Sequence, residues 1–213
     1  LSADETIDRD LLVGELEAGR FDDVELREEA LDPLHWIYLI GDGLFTLQAR
    51  EFAPLADRLA STAGRLEGLP ALLDAARATL VGTGDRPVGR FQTEMALERL
   101  DGIEELIADA LSSAGDAAPT DEAVAAVRPR LDAAAATARA AVAAFETHLR
   151  EVVLPGSDGE GRLGRELFAA KMRHTMRSEA LTPERILGEA EREYSAVRGE
   201  LVRLARELWP VWR

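Results

Sequence analysis

The sequence predicts an all-α protein, a bundle of about eight helices with antiparallel neighbours and no sheet. Three observations carry that expectation. Apolar residues recur at three- and four-residue spacing along nearly the whole chain. No stretch joins β-branched or aromatic enrichment to clean two-residue alternation. Asp32-Pro33 and Thr182-Pro183 each place a capping side chain before a proline whose fixed φ suits a first helical turn.

Taken in order, Ile7, Leu11, Leu12 and Leu16 are expected to form the inner face of a first helix ending near Gly19. Asp32-Pro33 opens a second, carrying Leu34, Ile37, Tyr38, Leu44, Phe45 and Leu47. Phe52, Leu55, Leu59 and Leu66 mark a third, and Leu69, Leu72, Leu73 and Leu80 a short fourth. The fourth stops before the loop Gly82-Thr83-Gly84-Asp85-Arg86-Pro87, a surface turn by composition. A fifth helix spans Phe91 to Leu111, and the small, polar Ser112–Pro119 stretch is the expected linker. Thr120 caps a long sixth helix reaching about Val153, alanine-rich from Ala133 to Ala144 and kinked or restarted at Pro129. Pro155–Gly161, with three glycines, is expected to be an exposed turn into a final helix pair joined through Thr182-Pro183-Glu184. The organisation expected is therefore an N-terminal helical bundle over 1–113, an Ala-rich helix packed on it over 114–157, and a C-terminal hairpin over 158–213.

Composition narrows the function classes. With 46% hydrophobic residues among 213, the chain has ample material for a core. Forty acidic against 25 basic residues give a net charge of −15, a field that repels phosphate backbones and anionic membranes. From Arg162 onward the balance reverses to 11 basic and 8 acidic residues, so the C-terminal hairpin is mildly positive. There is no cysteine, hence no disulfide and no thiolate ligand or nucleophile. The longest apolar run, Trp36 to Ile40, is far short of a membrane span, and no signal-peptide pattern opens the chain, so a cytoplasmic location is expected. Because the first residue is Leu1 rather than methionine, a processed or truncated product is expected.

No constellation in the chain assembles a catalytic centre. A zinc-hydrolase helix needs two histidines four residues apart with a glutamate beside the first, so that both imidazoles meet one ion. His35, His148 and His174 are followed by Trp36, Leu149 and Thr175, and the nearest two histidines are 26 residues apart. The Glu-x-x-His pairs of carboxylate-bridged sites do not occur. Gly159-Glu160-Gly161-Arg162-Leu163-Gly164 matches the dinucleotide fingerprint in letters, but helices rather than strands flank it, so it reads as a flexible turn. One basic cluster remains: Lys171, Arg173, His174 and Arg177 lie within two turns, with Lys171, His174 and Arg177 along one side. Such a row suits the carboxylate of a peptide or an acidic partner, and equally this chain's own carboxylates.

The order of several segments resembles a known family. Ile7-Asp8-Arg9-Asp10-Leu11-Leu12, Asp32-Pro33-Leu34, Leu44-Phe45, Arg50-Glu51-Phe52-Ala53-Pro54-Leu55, Leu69-Pro70-Ala71-Leu72-Leu73, Leu163-Gly164-Arg165-Glu166-Leu167-Phe168 and Leu181-Thr182-Pro183-Glu184 together resemble the N-terminal half of the bacterial family called domain of unknown function 885. That resemblance implies helical, zinc-dependent peptidases whose His-Glu-x-x-Pro-Gly-His-type motif lies in the other half, so no family ligand or base transfers to a residue here. It implies an N-terminal scaffold that has no cofactor of its own, zinc being held in a downstream region, and that is not catalytic alone. The expected partners are its own C-terminal catalytic region and a peptide substrate, met by the Phe168–Arg177 helix. The rival expectation is a non-enzymatic helical module that uses the Ala-rich helix and Trp209 and Trp212 to form a homo-oligomer or to bind a partner.

Overall fold

The computed structural model describes residues 1–82 and 86–211, and there the chain is helical with no strand. Thr83, Gly84 and Asp85 of the expected loop, and Trp212 of the expected interaction surface, lie outside the described residues. The elements are α1 (Ala3–Phe21), a single turn α2 (Glu28–Leu31), α3 (Pro33–Gln48), α4 (Leu55–Thr79), α5 (Arg90–Ala117), α6 (Glu122–His148), α7 (Gly164–Met176) and α8 (Pro183–Leu208). They form two compact units, Arg27–Arg162 and Leu1–Leu26 with the chain from Leu163 onward. Among the described residues no helix is long and apolar enough to cross a membrane.

In the Arg27–Arg162 unit, Asp32 caps α3 as its sequence predicts, its carboxylate accepting the Leu34 N–H at 2.8 Å. α4 lies along α6, α3 lies on α5, and α5 lies on α6. Paired contacts give the directions. Arg65 reaches the Gly43 carbonyl while Arg58 reaches that of Leu47, so α3 and α4 run in opposite senses. α4 and α6 run in the same sense, Glu67 pairing with Arg130 and, further along both helices, the charge of Arg77 acting on His148, because α5 makes the return between them. Alanines allow the close α4–α6 approach: Ala63 and Ala76 on one helix and Ala135 and Ala138 on the other are all buried. Around them Leu66, Leu73, Ile103, Ile107, Leu131 and Phe145 close the core. Arg130 grips Glu67 through two 2.7 Å bonds, which hold the Glu67 carboxyl below its ordinary range.

Several local expectations need correction. The third and fourth helices are one element, α4, which passes straight through Pro70. Proline removes one backbone donor, but Leu59, Leu66, Leu69 and Leu73 form a continuous buried face that outweighs the loss. Ser112–Pro119 is not a linker, since α5 continues to Ala117 with Ala114 fully buried. The α6 cap is Asp121, which accepts from the N–H groups of Ala123 and Val124, and α6 runs uninterrupted through Pro129 to a π-helical turn at Leu149–Val153.

In the other unit, Ile7, Leu11, Leu12 and Leu16 are exposed and do not form an inner face. α1 instead meets α7 through Phe21, stacked on His174, and through Gly14 and Glu15, against which the Arg177 side chain lies. Its helix runs two residues past Gly19. α8 begins where predicted, Thr182 accepting the Arg185 N–H at 3.3 Å.

Candidate functional site

The four basic-cluster residues sit on the last two turns of α7. His174 stacks on Phe21 of α1, ring centroids 4.6 Å apart and planes 28° from parallel. That stack leaves the imidazole half-buried and anchors α7 to α1. Arg177 closes α7 in the left-handed region at φ 48°, a conformation that costs a side-chain-bearing residue about 1 kcal/mol. Its guanidinium pairs with Glu15, and Arg173 lies 3.8 Å from Glu179. Lys171 is half-buried, its carbonyl accepting the Thr175 hydroxyl at 2.9 Å.

Arg173, His174 and Arg177, but not Lys171, border an open groove of about 530 Å³ between α1 and α7. Asp10 and Glu17 face Arg173, His174 and Arg177 across it, so its charge is mixed rather than uniformly positive. A ligand carboxylate entering there competes with Glu15 and Glu179 for the two guanidiniums. Both pairs are exposed, where such contacts contribute little, so the competition is open to a ligand that offers a bidentate carboxylate.

The histidines do not converge on a metal. His35 on α3 lies edge-on to the neighbouring Trp36, His148 ends α6, and His174 belongs to the other unit. Among the described residues no three His, Asp or Glu side chains gather in a way that could hold an ion, so the zinc implied by the resemblance does not fit these residues. Burial, with the Arg77 charge added, pushes the His148 imidazole below its ordinary value. Its Nε2 is buried without a hydrogen-bond partner.

The glycine fingerprint has a structural use that sequence reasoning missed. Gly159 donates to the Val88 carbonyl at 3.2 Å and accepts from the Arg90 N–H at 3.1 Å, a parallel bridge beside Gly89. Gln92 donates to the Gly161 carbonyl at 2.9 Å, and the Thr93 and Ser157 hydroxyls share a buried 3.0 Å bond. The loop is thus docked on the start of α5 through Ser157 and Gly159, while Pro155, Gly156, Asp158, Glu160 and Gly161 stay exposed as expected. Glycine is required because a Cβ at Gly159 meets the Pro87 and Val88 carbonyl oxygens at 2.6 and 3.0 Å. The signal available in sequence was the second glycine-proline cluster at Pro87–Gly89, its docking partner.

A second missed feature is the outer face of α8. Leu187, Ala190, Tyr194, Val197, Leu201, Leu204 and Leu208 alternate spacings of three and four residues, and every one is exposed. Leu187, Tyr194, Leu201 and Leu208 keep 60, 65, 62 and 50% of their surface open. The heptad period was legible in the letters.

Residues 1–211 match the model of the family described as bacterial protein of unknown function, DUF885. The chain belongs to the DUF885 family. No curated protein and no solved structure matches it. For a DUF885 chain the match spans both units, so α1 and α8 belong to the family unit as fully as the α3–α6 core does. The DUF885 description names no chemistry, and site assignment rests on the geometry above.

Proposed function

We propose that this DUF885 chain is the N-terminal helical scaffold of a larger zinc-dependent peptidase, and that the catalytic motif lies outside these residues. One observation carries the reading: α8 holds an unbroken apolar stripe in water along its length. A stripe of that period stabilises a protein only when another helical surface covers it. The resemblance to peptidases with a downstream His-Glu-x-x-Pro-Gly-His-type motif supplies the identity of that surface. Within the scaffold, Arg173, His174 and Arg177 form the side of the groove that meets a peptide, drawing its carboxylate away from Glu15 and Glu179, with Lys171 adding positive charge from the preceding turn of α7. Nucleic acid is not a partner on this reading, because the net charge of −15 opposes it.

The reading is tested on the reading frame itself. It expects a His-Glu-containing segment with a second histidine in the same helix beyond residue 213, and one zinc per polypeptide when that longer product is purified. A frame without such a segment refutes it. The alternative, a homo-oligomeric interaction module, draws on the 63% exposure of Trp209. Light scattering separates the two, because that module is multimeric as the 213-residue chain and the scaffold is not.

A further inference from the structure

We infer that the α8 stripe is the seat of a pair of helices whose border carries Lys or Arg, supplied on the functional reading above by the same polypeptide. The argument starts from the width of the apolar arc. From Leu187 to Val197 the large apolar residues Leu187, Tyr194 and Val197 fall within about 80° of the helix circumference, the breadth that one neighbouring helix covers, with only the small Ala196 off that arc. From Leu201 to Trp209 the set Leu201, Val202, Leu204, Ala205, Leu208 and Trp209 spreads over about 160°. Val202 and Trp209 lie on the added flank, and both are exposed. A single helix cannot cover that arc, whereas the groove between two helices can. The first half of α8 therefore lies on one helix and its second half lodges between two.

Charge fixes the partner's chemistry. Glu193, Glu200 and Glu207 stand seven residues apart along one border of the stripe. Arg203, on the far side, pairs with both Glu200 and Glu207, reaching Glu207 at 2.5 Å, so two of these acids share one cation. An antiparallel second copy sets this row against itself. A parallel copy offers one complement, Arg198 against Glu193, and places Ala205 opposite Glu200. A partner whose border carries Lys or Arg satisfies all three acids, so a second copy is the poorer occupant.

The chain has no cysteine, which makes thiol labelling a direct readout. Single variants Leu201→Cys, Val202→Cys and Arg192→Cys are labelled with a maleimide in the 213-residue chain and in the longer polypeptide. Leu201→Cys and Val202→Cys are expected to slow at least about tenfold in the longer polypeptide, with Arg192→Cys unchanged. Glu200→Lys with Glu207→Lys restores fast labelling of Leu201→Cys, whereas Glu191→Lys on the other border does not. Equal labelling of all three positions in the longer polypeptide overturns the inference. So does slowing of Leu201→Cys without Val202→Cys, which means one helix rather than two, and so does concentration-dependent slowing in the 213-residue chain, which means a second copy. A longer polypeptide that binds zinc but leaves α8 reactive sinks this inference alone. A frame without the histidine segment sinks the functional reading.

Discussion

Replacing Gly159 by alanine tests whether the glycine loop is a docked element or a free turn. The new Cβ lies 2.6 Å from the Pro87 carbonyl oxygen and 3.0 Å from that of Val88, and the first must retreat by about 0.8 Å to reach the 3.4 Å of ordinary contact. Both neighbours are backbone, so the strain is not relieved by a rotamer change. Retreat also lengthens the Gly159–Val88 and Arg90–Gly159 hydrogen bonds. Overpacking of this kind costs about 1–3 kcal/mol, partly offset by the alanine's smaller unfolded-state entropy of about 0.4–1 kcal/mol. The expected net loss is about 1–2 kcal/mol, or about 0.5–1 M in urea midpoint at an m-value near 2 kcal/mol/M. Trp36 is buried in the same unit and donates to the Glu29 carbonyl at 2.9 Å, so its fluorescence reports unfolding there, with Trp209 and Trp212 changed to phenylalanine. Gly156→Ala is the control, since nothing lies within 4 Å of its added Cβ. Equal midpoints for the Gly159 and Gly156 variants would refute the docking argument.

Phe145→Ala empties the largest fully buried side chain of the core and should cost about 3–5 kcal/mol in the same denaturation assay. Asp32→Ala removes the 2.8 Å cap on Leu34 and should cost about 1 kcal/mol, with Asp32→Asn retaining most of it. His148 titrates below its ordinary value of 6.5 because burial, and then Arg77, disfavour its charged form. The unfolded chain therefore takes up its proton first, and stability present above that ordinary value is lost as pH falls through it towards the folded value. His148→Gln should flatten the decline in thermal midpoint between about pH 7 and about pH 5, and an unchanged slope would contradict the burial argument.

The helical class, the Asp32-Pro33 and Thr182-Pro183 starts and part of the core, such as Ile37, Leu44, Leu66, Leu73, Leu100, Ile103 and Ile107, were legible because each rests on neighbours in sequence, whereas Tyr38 and Phe45, expected on the same pattern, are exposed. Continuity through Pro70 was not, because a local breaker is overridden by burial of Leu66, Leu69 and Leu73 against α6, a contact between residues far apart in the chain. The α5 extension across Ser112–Ala117 was hidden for the same reason, small polar residues being compatible with either a linker or a helix until Ala114 is seen buried. α1 misled in the opposite direction. Its leucines have helical spacing, yet the residues that meet the end of α7 are Gly14, Glu15 and Phe21. At the candidate site, the basic cluster was visible as letters, but the carboxylates opposite Arg177, Glu15 above all, come from the other end of the chain.

The scaffold account is tested most directly by zinc titration of the purified 213-residue chain by calorimetry, alongside the longer polypeptide from the same reading frame. The account predicts no stoichiometric zinc uptake by the shorter chain and one tightly held ion in the longer. One equivalent of zinc bound by the 213-residue chain, released on changing His35, His148 or His174 to alanine, would contradict it.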